Sequence, residues 1–402
     1  MDHCHVETDS EDELPSNWEE RVSANGFIHY VNVEKNQIQL NHPRTNKMKR
    51  VPVELPYNWK KTVDADNKVI YINELENRET KTDPRLAFSQ EFANDKLRQR
   101  FDSSTKAVSI LYGKNLTGQV ALVTGASSGI GYETARSLSN FGCEIIFACR
   151  NEKVTNEKMK ALEVENSRAK LNFIQVDLTN LKSCKEFCDK VKLQYQHINY
   201  LILNAGVFGL PYYLTSDGLE TTFQVCHLSH FYITQQLSSL LNENSRVVIV
   251  SSESHRFASL PALPLTKEIL NPPPAKYWSM LQYNNIKLCN ILFAMELAKK
   301  WQSRGISVFA LHPGNLVSTN LSRHWWFYKV IFAAVKSFTK NLEQAASTTI
   351  YCSIADELKG LSGLYFNNCY ICQPSKLSLN ENLATELWNL SDEIINEILQ
   401  KT

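Results

Sequence analysis

The sequence predicts an α/β fold: a doubly wound parallel sheet with helices on both faces, preceded by two small three-stranded antiparallel β modules. Three observations carry that expectation. A glycine-rich turn, Thr124-Gly125-Ala126-Ser127-Ser128-Gly129-Ile130-Gly131, directly follows the apolar run Val120-Ala121-Leu122-Val123. From about Leu116 onward, apolar strand candidates alternate with amphipathic helical segments, the pattern of βαβ units. The first 87 residues contain a repeat of period 41, which means one structural unit used twice.

The repeat comes first in the chain. Leu14-Pro15 returns as Leu55-Pro56, Asn17-Trp18 as Asn58-Trp59, Tyr30 as Tyr71, Asn32 as Asn73 and Pro43 as Pro84. Each unit has an early Trp, a β-prone middle (Phe27–Val31, then Val69–Ile72) and a late Pro. Asn25-Gly26 and Asp66-Asn67 supply turn chemistry before those strands. The expected divisions are a first module at 13–46, a second at 54–87, a linker at 88–116 and a large domain at 117–402. The short basic run Lys47-Met48-Lys49-Arg50 reads either as a nuclear address or as a solvated linker. Residues 88–116 are polar, with room for one short helix.

In the large domain, strands are expected at 119–124, 144–149, 171–176, 199–203, 246–251, 306–311 and 363–367. Helices are expected at 129–140, 152–166, 180–193, 217–242, 277–303, 341–356 and 381–400.

Composition excludes several function classes. Lys plus Arg number 43 against 42 Asp plus Glu, so no charge bias points to nucleic acid. No apolar stretch reaches the roughly 18 residues a membrane span needs. Trp325–Val335 comes nearest, and Lys329 interrupts it. The acidic start is unlike a signal peptide, and free thiols are the expected state of the ten cysteines. Cys369 and Cys372 form a CxxC, which reads as redox chemistry, half a zinc site or plain thiols; no second CxxC accompanies it, and no metal is expected.

The glycines explain what the turn is for. Gly125 permits a sharp turn after the strand, Gly129 lets backbone approach a pyrophosphate, and Gly131 lets helix pack on strand. Backbone N–H groups at a helix start favour an anion. Strand two ends at Arg150, where an NAD site carries an acid; a guanidinium there suits the 2′-phosphate of NADP, or is simply a surface Arg. Asp177, after strand three, and Asn204-Ala205-Gly206, after strand four, line the same end of the sheet or serve as ordinary turns.

Tyr283 and Lys287 stand four apart on one helix face. A free phenol has a pKa of about 10, and a nearby ammonium favours its ionised form. Ser252, with Ser251 as the alternative, ends a strand where open α/β sheets place ligands. Phenol, ammonium, hydroxyl and a phosphate cradle suit hydride transfer to or from an alcohol or ketone.

The spacing Gly-x3-Gly-x-Gly with a preceding Thr, the Ser strand end and the Tyr–Lys pair together resemble the short-chain dehydrogenase/reductase family, whose sheet is Rossmann-type. The resemblance implies Tyr283 as acid or base, Lys287 also holding the nicotinamide ribose, Ser252 on the substrate oxygen, and Pro313-Gly314 near the nicotinamide. It implies NADP(H) in preference to NAD(H), and an aromatic stretch at 325–332 capping a pocket for a lipophilic alcohol or ketone such as a steroid or retinoid. The family's usual Asn before the Ser strand is Cys226 here, so its relay is impaired or completed by water or Ser229.

The two repeats resemble the WW domain, a module that grips proline-rich peptides. The scaffold residues match, but Leu40 and Lys81 stand where a groove Trp is usual, and Val33 and Glu74 where a His is usual. Tyr30 and Tyr71 are all that remains of the aromatic groove on this reading, so PPxY-type ligands bind weakly or not at all. WW modules before such a dehydrogenase imply two roles, enzyme and signalling adaptor, and cytoplasmic, nuclear and mitochondrial locations.

Overall fold

A computed structural model describes residues 14–91, 100–261, 263–314 and 340–400. The repeats, together with Tyr112–Leu116, form one compact unit; the described chain from Thr117 on, with the segment that ends at Leu111, forms a second.

In the first unit each repeat is a three-stranded antiparallel sheet. The first comprises β1 (Trp18–Val22), β2 (Ile28–Asn32) and β3 (Gln37–Gln39). A two-residue strand, β4 (Lys49–Arg50), follows it. The second repeat comprises β5 (Trp59–Val63), β6 (Val69–Asn73) and β7 (Arg78–Thr80), after which comes β8 (Gln90–Glu91). β4 pairs antiparallel with β8, so the basic run between the repeats is partly sheet rather than a free linker. Strand alternation puts Ile28, Tyr30 and Asn32 on one face of β2. Ile28 and Tyr30 form a small core with Val51, on which Leu14, Trp18 and Val22 pack.

This parity corrects the reading of the groove. Tyr30 is completely buried and Tyr71 nearly so; both are core residues, not remnants of an exposed aromatic face. The outward face of the first repeat instead shows Val33, Ile38 and Leu40.

The second unit holds an eight-stranded sheet. Its strands are β9 (Val120–Thr124), β10 (Glu144–Cys149), β11 (Leu171–Gln175), β12 (Tyr200–Leu203), β13 (Arg246–Val250), β14 (Ser307–His312), β15 (Leu364–Asn367) and β16 (Tyr370–Cys372). The order is β11-β10-β9-β12-β13-β14-β15-β16, parallel throughout except for the antiparallel β15–β16 pair. The chain leaves β9 toward β10 and later returns to its other side with β12. That reversal opens a crevice at the carboxyl ends of β9 and β12.

Helices Gly129–Ser139, Glu152–Glu165, Leu181–Gln194, Ser279–Lys300, Leu342–Ile354 and Glu381–Leu399 accompany the strands, all within a residue or a few of expectation. The short helix Ala107–Leu111 packs on Leu342–Ile354, so part of the expected linker belongs to the large domain.

Two departures matter. The segment 217–242 is not one helix. Glu220 caps a single turn, Thr221–Phe223, by accepting from the Thr222 and Phe223 amides; a π-helical turn, Gln224–Leu228, follows, and then Ser229–Gln236. A π turn inserts one residue per turn and reorients the side chains after it. The second departure is β16. Asn368 and Cys369 both have positive φ, closing a hairpin that the expected lone strand 363–367 did not include. Cys369 is thereby buried in the turn and both CxxC cysteines are free thiols. Among the described residues no group of His, Cys, Asp and Glu is placed to hold a metal, and no helix is long and apolar enough to cross a membrane.

Candidate active site

The glycine-rich turn lies where β9 meets its helix, at the reversal in strand order. Gly125 and Gly129 adopt φ of +69° and +57°, which disfavour any side chain. A Cβ on Gly131 would meet the Asn204 amide nitrogen at 2.4 Å and the Gly125 carbonyl oxygen at 2.6 Å, so the helix start is pressed against the turn. Ser128 occupies the N-cap but its side chain makes no capping bond. The first helical N–H groups therefore keep their donors for an anion, and the geometry fits a pyrophosphate.

Thr124 and Asn204 hold this arrangement together rather than facing outward. The buried Thr124 hydroxyl accepts from the amides of Asn204 and Ala205, at 2.9 and 3.0 Å, and lies 2.9 Å from His230 Nε2. The Asn204 side chain donates to the Thr124 carbonyl at 3.0 Å. Ser127 stands beside the buried Cys149 thiol. Ile130 stands in the first turn of the helix, half-buried. The Asp177 carboxylate accepts from the backbone and hydroxyl of Thr179, at 3.0 and 2.7 Å.

Beside the carboxyl end of β10 is a hollow of about 600 Å³ lined by Arg150, Asn151, Glu152, Lys153, Asn156 and Gln175. Arg150 is exposed and its carbonyl is fixed by Gln175, which donates at 3.1 Å. Two cations, Arg150 and Lys153, and the Glu152 carboxylate share this hollow at the end of strand two.

At the carboxyl end of β13 the structure brings Ser252, Tyr283 and Lys287 together. Ser252 stands beside the Tyr283 phenol, and its oxygen accepts from the Ser254 amide at 3.2 Å. Ser251 is turned the other way; its hydroxyl donates to the Lys287 carbonyl at 2.7 Å, tying strand to helix. The Lys287 ammonium is 5.4 Å from the centre of the Tyr283 ring and donates to the Val250 carbonyl at 3.0 Å. A Cβ on Gly206 would sit 3.7 Å from that ammonium and 3.5 Å from Cys226 Sγ, so the strand-four turn roofs the site. Phe208 meets Tyr283 edge to face with ring centres 4.7 Å apart.

Electrostatics here differ from the expectation. Burial raises the Tyr283 phenol well above its ordinary value, the Cys226 thiol adds to that, and only the neighbouring Ser252 hydroxyl opposes it. The ammonium does not win. Lys287 is itself pushed down by burial. Desolvation disfavours both charged forms and dominates at each.

Cys226 sits in the π-helical turn. Its sulfur accepts from the Val207 amide at 3.2 Å, and burial raises its pKa while Lys287 lowers it. Ser229 does not complete a relay: its hydroxyl donates to the Leu178 carbonyl at 2.7 Å. Pro313 and Gly314 follow β14, and Gly314 has φ +107° with the Lys340 side chain against it. Asn315 and the aromatic stretch 325–332 lie outside the described residues. Phe208 was missed in the sequence; the aromatic spacing Phe208, Tyr212, Tyr213 just after Gly206 is the signal that could have found it.

A family model described as short chain dehydrogenase matches residues 119–261. The chain is 53% identical to the WW domain-containing oxidoreductase of Drosophila melanogaster over 401 residues, covering 98% of each chain. The chain belongs to the short-chain dehydrogenase/reductase family. It is similar over nearly its whole length to WW domain-containing oxidoreductases, and it is an oxidoreductase that acts on CH–OH groups with a nicotinamide cofactor. Retinol dehydrogenase 12 of Homo sapiens is 34% identical, over 70% of this chain and 87% of its own. A solved structure of an uncharacterized protein from Mycobacterium Paratuberculosis superposes with a TM-score of 0.56 at 27% identity, covering 70% of this chain and 95% of that one.

Proposed function

We propose that the protein moves hydride between NADP(H) and a lipophilic alcohol or ketone, of steroid or retinoid type, with Tyr283 as the proton-transferring group. The convergence of Ser252, Tyr283 and Lys287 at the carboxyl edge of the sheet carries this reading. The bound nicotinamide supplies or accepts the hydride. Backbone amides of Gly129, Ile130 and Gly131 would hold the pyrophosphate, and Arg150 with Lys153 would hold the 2′-phosphate. Ser252 orients the substrate oxygen. The buried phenol stays protonated, so Tyr283 gives its proton to a carbonyl oxygen as hydride reaches the carbon; in the reverse direction it takes that proton back. Lys287 stabilises the phenolate left behind. Phe208 on the Tyr283 ring and the exposed Tyr213 and Trp278 favour an apolar substrate. The similarity to retinol dehydrogenase 12 points the same way.

A second reading is a nucleotide-binding adaptor of low turnover. Cys226 at the usual Asn position and the committed Ser229 hydroxyl favour it. In that case the repeats carry the main role, engaging PPxY-type ligands, with Leu40 and Lys81 weakening the grip. The experiment is turnover of NADPH and NADH by the full chain against steroid and retinoid carbonyls and alcohols. Turnover with at least one of them, faster with NADPH, supports the first reading. NADPH binding without turnover, joined to capture of Pro-Pro-x-Tyr peptides, supports the second.

A further inference from the structure

The Val250 carbonyl, at the tip of β13, receives two side-chain donors from one helix. Lys287 Nζ lies 3.0 Å away and Asn290 Nδ2 lies 3.3 Å away. Asn290 is 2% exposed and stands seven residues after Tyr283, on the same helix face. A carbonyl oxygen has two lone-pair directions. With Asn290 on one of them, the ammonium is confined to the other, under Gly206 and beside the Tyr283 ring.

The His227 ring, in the π-helical turn, stands near the Asn290 side chain, and its Nδ1 makes no hydrogen bond. That ring is buried among Phe223, Phe231 and Phe293. His227 Nε2 lies 3.2 Å from the Ser391 hydroxyl, which in turn donates to the Leu387 carbonyl at 2.7 Å. Burial lowers the His227 pKa to about 4, so the ring is neutral near pH 7.

We propose that Asn290 is a positioning residue: by occupying one side of the Val250 carbonyl, it fixes the Lys287 ammonium beside Tyr283. This rests on the proposed roles of Tyr283 and Lys287, and it explains a polar side chain that the reaction itself does not use. A buried amide has a hydrogen-bonding cost that an apolar residue of the same shape would avoid.

The groups facing Lys287 are Tyr283 on its own helix, Cys226 on the π-helical turn and His230 on the following helix. None is a carboxylate, so a new one is detectable. The test compares the wild type with Asn290→Leu and Asn290→Asp, both close to isosteric. Steady-state kinetics are read on a ketone that the wild type reduces, with NADPH binding by fluorescence and the Lys287 ζ-nitrogen titration by NMR. Asn290→Leu is expected to lower kcat by about tenfold, with KM and NADPH affinity within about twofold, since misplacing a reacting group costs rate more than binding. Asn290→Asp is expected to raise the Lys287 pKa and to carry the alkaline limb of kcat to higher pH with it. Unchanged kcat in Asn290→Leu, or a loss that tracks NADPH affinity or the folded fraction, overturns the proposal. So does an unmoved Lys287 titration in Asn290→Asp. If the wild type turns over no carbonyl, the enzymatic reading fails while the titration still decides the placement of Lys287.

Discussion

Two buried clusters in this chain each set a tyrosine near a cation, and they are resolved in opposite ways. In the second repeat, the Tyr71 hydroxyl donates to Asp83 at 2.9 Å, and Arg85 pairs with the same carboxylate at 2.7 Å. Burial alone would raise the Asp83 pKa, but hydrogen bonds from Arg85 and Tyr71 hold it below the ordinary carboxylate value. Tyr71 is pushed up to about 12, by burial first and by Asp83 second. Every charge in that cluster has a partner. At the other cluster, Lys287 has a carbonyl and a ring for neighbours, and no carboxylate pairs with it among the described residues. Burial of paired charges makes a structural clasp. Burial of an unpaired one leaves a group whose proton is easily redistributed, which is what chemistry needs.

Removing the two charges should therefore have opposite effects on stability. Lys287→Met is expected to lower carbonyl reduction by about a hundredfold or more while leaving thermal stability equal or higher, because an uncompensated buried charge is removed. Calorimetry beside steady-state kinetics checks it; a large drop in melting temperature would erase the contrast.

Asp83→Ala should do the reverse. It strands Arg85 and is expected to cost the second repeat about 3 kcal/mol, read as faster hydrogen exchange in β5, β6 and β7, with turnover unchanged. The pH dependence follows from the lowered Asp83 pKa. The folded value lies below the unfolded one, so the stabilisation is full above the ordinary carboxylate pKa of about 3.9 and is lost as pH falls through the folded value. Protection against exchange in those strands, relative to the intrinsic rate at each pH, should hold steady from neutrality to about pH 5 and fall only in stronger acid.

Arg150 is the intermediate case, a cation exposed at a strand end beside an open hollow. Arg150→Ala is expected to weaken NADPH binding about tenfold and NADH binding hardly at all, by fluorescence titration. Equal loss for both cofactors would show that the hollow does not read the phosphate.

Much of the second cluster was legible in the sequence and little of the first. Gly125, Gly129 and Gly131 announce themselves because only glycine tolerates that geometry after a strand. The Tyr283–Lys287 spacing places both on one face of any helix. Ser251 and Ser252 could not be told apart, since adjacent residues at a strand end point oppositely and only coordinates show which meets the phenol. The repeat period carries His42 onto Asp83, beside an Arg common to both units (Arg44 and Arg85), and the change from His to Asp was the available sign of a different core. In the first repeat His42 packs edge-on against Tyr30 with ring centres 5.1 Å apart, where the second uses ions. Tyr30 and Tyr71 were misjudged because one residue of register separates the buried face of a strand from the outer one. The π-helical turn at Gln224–Leu228 leaves no periodic trace over five residues, so the position of Cys226 beneath Gly206 and the engagement of Ser229 came only from the fold.

The most direct test is Tyr283→Phe, which removes one oxygen and keeps the ring against Phe208. With NADPH and a lipophilic ketone that the wild type reduces, turnover should fall by about 10²- to 10⁴-fold while NADPH affinity stays within about twofold. Turnover equal to the wild type at unchanged NADPH affinity would contradict the assignment of the buried phenol as the proton donor.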